Sequence, residues 1–141
     1  MEAFPSIVSD IMSSPVISID GDSSVRETTI LMTDKNIGSI LIYESGVPVG
    51  IVTERDILVR VVSKGHDPDK TKVREIMSSP LISISEKLGI LEAMRKMREK
   101  DISRLIIMRD DEVVGIVSER DLIRACSISS LSSFSSLLRK K

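Results

Sequence analysis

Two short stretches of the chain place a hydroxyl, a guanidinium and a carboxylate within four residues. The first is Thr53–Asp56, which reads Thr-Glu-Arg-Asp, and the second is Ser118–Asp121, which reads Ser-Glu-Arg-Asp. A hydroxyl and a guanidinium can donate hydrogen bonds to phosphate oxygens. A carboxylate can accept hydrogen bonds from a vicinal diol, as acidic residues do for ribose. Together on one turn of chain, these groups are typical of a site for a ribonucleotide.

Each stretch lies where a strand is predicted to pass into a helix. A Gly-Ile-Val run precedes both, and apolar residues at helical spacing follow. A helix N-terminus offers free N–H groups and a positive dipole end, which attract phosphate. The same spacing also fits a local role, because Thr53 with Asp56, or Ser118 with Asp121, is close to a capping box. Such a cap only begins a helix and contributes about 1 kcal/mol, so the spacing leaves both interpretations open.

The whole chain is duplicated around these stretches. Gly50–Leu58 returns as Gly115–Ile123, and Ile11–Ile19 returns as Ile76–Ile84, each 65 residues further along. A duplication of constant spacing indicates two structural repeats. Each copy is short for a free-standing domain, so we expect the two copies to share one core.

Each copy is predicted to have the order β-α-β-β-α, which makes the fold class α+β. The first helix should bury a stripe of Val25, Ile30, Leu31 and Met32. A three-stranded sheet with helices on one face leaves apolar surface, which two copies with pseudo-two-fold symmetry can cover. The predicted strands are 16–19, 39–43, 47–52, 81–84, 104–108 and 112–117, and the predicted helices are 25–35, from Thr53, about 87–100 and from Glu119. The predicted domains are repeat 1 (8–63), a linker (64–72), repeat 2 (73–126) and a serine-rich tail (127–141).

Composition narrows the classes of function. The chain of 141 residues has a formal net charge of −1, so its overall charge does not favour nucleic acid or an anionic membrane. No apolar run approaches the roughly 18 residues that a membrane span needs, and the N-terminus lacks signal-peptide features. The single cysteine, Cys126, cannot form an internal disulfide. We therefore expect a cytoplasmic protein with no membrane association.

The lone His66 predicts no metal site, and no catalytic constellation is predicted.

The C-terminal tail carries a thin apolar stripe. Ile128, Leu131, Phe134 and Leu138 recur at roughly helical spacing among serines. Three interpretations are open: a frayed end, a helix that docks on a partner chain, and a helix at a membrane surface.

The repeats resemble a known family, the tandem CBS-domain pair or Bateman module. The resemblance runs from about Val8 to Cys126 and depends on three features: the Ile-Met-Ser-Ser-Pro opening of each copy, the β-α-β-β-α order, and Gly-Ile-Val-Ser/Thr-x-x-Asp in both copies. It implies a stand-alone, non-enzymatic sensor that binds AMP, ADP or ATP between its repeats, requires no cofactor and regulates an unidentified protein. The family commonly dimerises through its helices, so a homodimer is expected.

The resemblance also implies which residues bind the nucleotide. In the family, the Asp of one repeat holds ribose and the preceding Ser or Thr holds phosphate. The first strand and the start of the second strand of the other repeat frame the adenine. One site would use Ile116, Ser118, Arg120 and Asp121 with Ser13, Ser18, Ile37 and Gly38. The other would use Ile51, Thr53, Arg55 and Asp56 with Ser78, Ser83, Ile102, Ser103 and Arg104.

The two sites differ at one pair of matched positions. The first repeat has Ser39 where the second has Arg104, a position at which family members often place a phosphate-contacting base. The site that contains Asp56 should therefore favour the more phosphorylated ligand. In the alternative interpretation, Arg104 is a solvated residue at a strand end.

Three other functions remain as alternatives. An S-adenosylmethionine sensor would use the same cleft, and a nucleic-acid-binding CBS protein would show steep salt dependence. CBS pairs also occur inside IMP dehydrogenases. However, the sequence contains neither a catalytic barrel nor a cysteine loop, so an enzyme is not predicted.

Overall fold

The computed structural model describes residues 6–127, which divide into two compact units. The first unit is Val16–Leu81, and the second unit combines the described N-terminal residues 6–15 with residues 82–127. The predictions for the apolar stripe of the tail fall outside the described residues.

The first unit contains a three-stranded sheet and two helices, one before β2 and one after β3. Strand β1 lies parallel to β2, and β2 lies antiparallel to β3, so the sheet order is β1-β2-β3. Helix α2 ends in a segment with i→i+5 hydrogen bonds, such as that from Ser63 N–H to the Leu58 carbonyl. The elements are β1 Ser18–Asp20, α1 Val25–Lys35, β2 Ser39–Glu44, β3 Val47–Thr53, α2 Glu54–Ile57 with its π-helical extension Leu58–Val62, and a 3₁₀ turn Val73–Glu75.

The second unit repeats this topology. Strands β4 and β5 are parallel, and β5 and β6 are antiparallel, with the same register as in the first unit. The elements are a 3₁₀ turn Val8–Asp10, β4 Ser83–Ser85, α3 Ile90–Lys100, β5 Arg104–Arg109, β6 Glu112–Ser118 and α4, residues 119–127. The predicted α+β class with two similar repeats is confirmed.

Local chemistry explains where the helices begin and end. Ser24 caps α1, since its Oγ accepts a hydrogen bond from Glu27 N–H at 3.0 Å. Helix α1 ends at Asn36, which adopts the left-handed conformation with φ 53°. Helix α3 begins at Ile90 rather than near residue 87, because Lys87 N–H and Leu88 N–H both bond back to Ser85 in a turn.

The buried face of α1 differs from the prediction. Val25, Thr28 and Met32 are buried, at i, i+3 and i+7. Ile30 is 54% exposed, so its predicted burial is wrong. The reason is geometric: Ile30 lies about 200° around the helix from Thr28 and therefore faces away from the sheet.

Each unit contains the first residues of the other sequence copy: residues 6–15 of the first copy lie in the second unit, and residues 73–81 of the second copy lie in the first unit. In the second unit, Val8 N–H donates to the Leu88 carbonyl at 2.8 Å, and Val8 is fully buried in that unit's core. In the first unit, Val73 N–H donates to the Ser23 carbonyl at 2.8 Å, and Val73 is likewise fully buried. The chain thus passes from the second unit into the first unit at Pro15–Val16, and it returns to the second unit at Leu81–Ile82. None of the helices described between residues 6 and 127 is both long and apolar enough to cross a bilayer.

Candidate functional site

The two Ser/Thr-x-x-Asp stretches each form a complete capping box. Asp56 N–H donates to Thr53 Oγ1 at 3.2 Å, and Thr53 N–H donates to Asp56 Oδ2 at 2.9 Å. Asp121 N–H donates to Ser118 Oγ at 3.1 Å, and Ser118 N–H donates to Asp121 Oδ2 at 2.8 Å. The local role of these residues is therefore confirmed in both copies. The box also fixes the carboxylates, because one oxygen of each is held by the backbone while the group stays half-buried.

Within each unit, the loop before the central strand contacts the start of the capped helix. Glu54 N–H donates to the Gly38 carbonyl at 3.1 Å, and Glu119 N–H donates to the Ser103 carbonyl at 2.8 Å. These contacts bring two of the predicted adenine-framing residues, Gly38 and Ser103, beside a capping box. In each case, however, the capping box lies in the same unit as the framing residue, whereas the prediction pairs Gly38 with Asp121 and Ser103 with Asp56.

The Ile-Met-Ser-Ser-Pro segments lie against the strands that lead into the helices. Ser13 and Ile116 exchange two backbone hydrogen bonds, of 2.8 and 3.1 Å. Ser78 and Ile51 do the same at 2.9 and 3.0 Å. The structure therefore places Ser13 next to Ile116 and Ser78 next to Ile51, and the members of each pair were predicted for the same site.

A glycine in each strand makes this approach possible. A Cβ built on Gly50 would lie 2.8 Å from Met77 Cγ and 3.0 Å from the Ser78 carbonyl oxygen. A Cβ built on Gly115 would lie 2.8 Å from Met12 Cγ. The two motifs that repeat along the sequence are thus packing partners, since the Met of one motif lies over the Gly of the other.

Two arginines next to the capping boxes are available to an anion. Arg55 and Arg120 are exposed, and within residues 6–127 the structure gives neither side chain a hydrogen bond or an ion pair. Arg104 begins β5 opposite Ser118 and is half-buried, with Nη1 3.4 Å from Ser103 Oγ. A cationic group with no carboxylate partner beside a helix N-terminus is suited to phosphate.

Sequence reasoning missed one arginine close to the first box. Arg60 Nε lies 3.8 Å from Asp56 Oδ1, and Nη1 donates to the carbonyls of Ile76 and Met77 at 3.1 and 3.2 Å. The i,i+4 spacing from Asp56 could have predicted the ion pair. The carbonyl contacts depend on tertiary structure, and no local pattern predicts them.

Each predicted nucleotide site draws on residues of both units. The first unit supplies Ser18, Ile37, Gly38, Ile51, Thr53, Arg55, Asp56 and Ser78. The second unit supplies Ser13, Ser83, Ile102, Ser103, Arg104, Ile116, Ser118, Arg120 and Asp121. Within a unit, the structure joins Ser13 to Ile116, Ser78 to Ile51 and the two residues of each capping box, while the pairing across units stays a prediction.

Comparison with known proteins identifies the family. A family model for the CBS domain matches residues 8–63 and again residues 73–128. The chain belongs to the CBS-domain family. It is 35% identical over 117 residues to the CBS domain-containing protein YhcV of Bacillus subtilis, with 83% of each chain covered. It spans only 61–63% of the length of three other relatives that it matches.

Solved CBS structures are similar to this chain. A hexameric CBS-CP12 protein from bloom-forming cyanobacteria has a TM-score of 0.78 and 30% identity, covering 83% of this chain and 66% of its own. The CBS domain protein PAE2072 of Pyrobaculum aerophilum, solved in complex with AMP, has a TM-score of 0.72 and 28% identity, covering 82% and 88%. Nucleotide binding and self-assembly therefore both occur among proteins that are similar to this one.

Proposed function

We propose that this CBS protein is a non-enzymatic sensor that binds AMP, ADP or ATP and alters the behaviour of a partner protein. The observation that carries the proposal is the capping box that occurs twice, in which a hydroxyl and a carboxylate are held in fixed positions beside an arginine without an ion-pair partner. The similarity to PAE2072 in complex with AMP supports the choice of ligand.

The proposed roles follow from the chemistry of each group. Asp56 and Asp121 would accept hydrogen bonds from the ribose diol through the carboxylate oxygen that the capping box does not use. The helix N-terminus and the neighbouring guanidiniums of Arg55 and Arg120 would hold the phosphates. The sensor function requires that the ligand bind two states of the protein with different affinity.

Calorimetric titration tests the ligand and both sites. AMP, ADP, ATP and S-adenosylmethionine are titrated into the wild-type protein and into the Asp56→Ala and Asp121→Ala variants. We expect an adenine nucleotide to bind at two sites in the wild type and at one site in each variant. Asp56→Asn and Asp121→Asn are matched controls: the single amide oxygen can still accept from the N–H of Thr53 or Ser118, which keeps the capping box, but no second oxygen remains for the diol, so each should also lose one site. Folded wild-type protein, freed of carried-over ligand, that gives no heat with any of the four compounds at millimolar concentration would contradict the proposal.

We also propose that the protein forms a homodimer through its helices. Leu91 on α3 and Ile123 on α4 are 72% and 54% exposed, beside a groove of about 700 Å³ in the second unit. In the first unit, Leu58 and Val62 are 60% and 63% exposed on the π-helical extension of α2. Large exposed apolar side chains on helices indicate an interaction surface, and the hexameric CBS-CP12 neighbour supports assembly.

Light scattering tests the dimer. Leu91→Glu with Ile123→Glu should shift the protein from dimer to monomer, because a buried carboxylate without a partner is unfavourable. Val47→Glu is the matched control, since Val47 is 56% exposed but lies at the start of a strand. A wild-type protein that remains monomeric at every concentration would refute the proposal.

A further inference from the structure

Arg60 connects two parts of the first unit that carry candidate site residues. One side of its guanidinium faces Asp56, with Nε 3.8 Å from Oδ1. The other side donates from Nη1 to the carbonyls of Ile76 and Met77, at 3.1 and 3.2 Å. The next residue, Ser78, is paired with Ile51 on the edge of β3. The guanidinium therefore joins the helix that carries Asp56 to the segment that carries Ser78.

The contact with Asp56 completes the orientation of the carboxylate. Oδ2 already accepts hydrogen bonds from Thr53 N–H and Thr53 Oγ1, at 2.9 and 3.1 Å. Oδ1 receives no hydrogen bond within the described residues and faces only the charge of Arg60. The hydrogen bonds hold Oδ2, and the positive charge of Arg60 favours the rotamer in which Oδ1 faces the guanidinium. Oδ1 also keeps lone pairs that can accept hydrogen bonds from a ligand.

Carbonyl acceptors hold the guanidinium in place. Arg60 is a flexible side chain, 45% exposed, and an isolated exposed ion pair would be weak. Hydrogen bonds that involve a charged donor are stronger than those between neutral groups. Because two backbone carbonyls accept from Nη1, the planar group is fixed, and its charge remains next to Asp56.

The second copy differs at this position. The residue 65 positions after Arg60 is Ala125, which is 5% exposed and whose methyl group can neither donate a hydrogen bond nor carry a charge. Asp121 has the same capping box as Asp56, yet no arginine occupies the matched position on α4. The duplication therefore contains one copy with this guanidinium and one without it.

We propose that Arg60 is a positioning residue for the nucleotide site that contains Asp56, and that it orients the Asp56 carboxylate towards the ribose diol. The proposal rests on the proposed function, because it assigns Asp56 to ribose. It makes the two sites unequal: affinity at the Asp56 site depends on Arg60, and affinity at the Asp121 site does not.

The experiment compares a ligand that has the diol with one that lacks it. AMP and 2′,3′-dideoxy-AMP are titrated into the Asp121→Ala protein, in which only the Asp56 site remains, with and without Arg60→Met. Methionine keeps much of the apolar stem but removes the charge and the donors. We expect Arg60→Met to weaken AMP binding about fivefold, which corresponds to about 1 kcal/mol, and to change dideoxy-AMP binding less than about twofold.

The matched control uses the other site. Arg60→Met in the Asp56→Ala background should leave AMP affinity unchanged, because only the Asp121 site is present. Thermal unfolding of every variant shows whether it is folded. If Asp121→Ala does not fold, Asp121→Asn, which keeps the cap acceptor, replaces it.

Each result bears on the proposal differently. Equal weakening of AMP and dideoxy-AMP would show a purely structural role and overturn the proposal. Unchanged AMP affinity at the Asp56 site would also overturn it, while the proposed function would stand because AMP still binds. If the wild-type protein binds no AMP, both the proposed function and this inference fail.

Discussion

The two strand-to-helix junctions have the same capping geometry but different surrounding charges. Beside Asp56, the first unit has Arg60 on the helix and an uncharged Ser39 at the start of β2. Beside Asp121, the second unit has Ala125 on the helix and the cationic Arg104 at the start of β5. The capping boxes are thus the same in both copies, while the positions of the neighbouring arginines differ. A duplicated fold can therefore place different charges beside the same capping geometry.

Substitution of Gly50 or Gly115, which pack against Met77 and Met12, should have the largest effect on stability. Gly50→Ala should lower the free energy of unfolding by about 2–3 kcal/mol, because the new methyl group meets the Ser78 carbonyl as well as Met77. Gly115→Ala should cost less, about 1–2 kcal/mol, because only atoms of the Met12 side chain lie in the way. Urea denaturation measures both.

The control for the glycine comparison is Gly89→Ala. A Cβ there would meet only the Ser6 carbonyl oxygen, at 3.8 Å, which is ordinary contact. Gly89 is the N-cap of α3, so alanine should cost less than about 1 kcal/mol there through the cap alone. An equal loss of stability in all three variants would show that close packing of the methionines is not what requires glycine.

The local features of the fold could be predicted from the sequence. The duplication, the element order, the strand-to-helix junctions and the capping boxes at Thr53 and Ser118 all depend on residues within a few positions of each other. Strand β1 begins at Ser18 rather than Val16, which is the usual uncertainty at an element's end.

The missed features depend on contacts between residues that are distant in the sequence. Val8 is buried in the core that contains the sheet of the opposite copy, and Arg60 reaches the carbonyl of Met77 seventeen residues away. The π-helical turn at Leu58–Val62 also has no local signature, since its residues equally suit an α-helix. For the candidate site, the sequence predicted the capping residues, and the family resemblance placed Ser13 with Ile116 and Ser78 with Ile51 in one site, but neither predicted the guanidinium beside Asp56.

The charge difference at the strand starts predicts different nucleotide preferences. Arg104 lies beside Asp121 in its own unit, but the predicted pairing across units assigns it to the nucleotide site of Asp56. Arg104→Ala should therefore weaken ATP binding at the Asp56 site about tenfold and AMP binding less, because a single cation contributes more to a ligand with more phosphates. Titration of both nucleotides into Asp121→Ala protein, with and without Arg104→Ala, measures this. The matched control is Ser39→Ala, at the equivalent position of the other copy. Unchanged ATP affinity would mean that Arg104 is a solvated strand-end residue.

A buried hydroxyl distinguishes the first helices of the two units. Thr28 is fully buried and donates from Oγ1 to the Ser24 carbonyl at 2.9 Å, whereas the matched residue in α3 is the fully buried Ala93. Thr28→Val should cost no more than about 1 kcal/mol, because the Ser24 carbonyl still accepts from the backbone N–H of residue 28. Thr28→Ala should cost more, about 1–2 kcal/mol, since it leaves a cavity. Urea unfolding that ranks the two variants in the reverse order would contradict this explanation.

The smallest expected effect concerns an exposed charge cluster that is specific to the first unit. Asp22 Oδ1 lies 2.6 Å from Arg74 Nη2 and 3.4 Å from Lys72 Nζ. Hydrogen bonds from Arg74 and then Lys72 hold the pKa of Asp22 below its ordinary value of 3.8. The matched residue in the second unit is Lys87, so the same cluster cannot form there.

Because the pKa of Asp22 is lower in the folded protein, its contribution to stability is present above pH 3.8 and is lost as the pH falls through the folded value. Asp22→Asn should therefore flatten the dependence of unfolding free energy on pH below pH 3.8. Urea unfolding at a series of acidic pH values measures this slope, and added salt should reduce the difference because the pair is exposed. Asp111→Asn, at an exposed turn without an ion pair among the described residues, is the control. If Asp111→Asn flattens the slope as much as Asp22→Asn, the effect reflects net charge rather than the contact with Arg74.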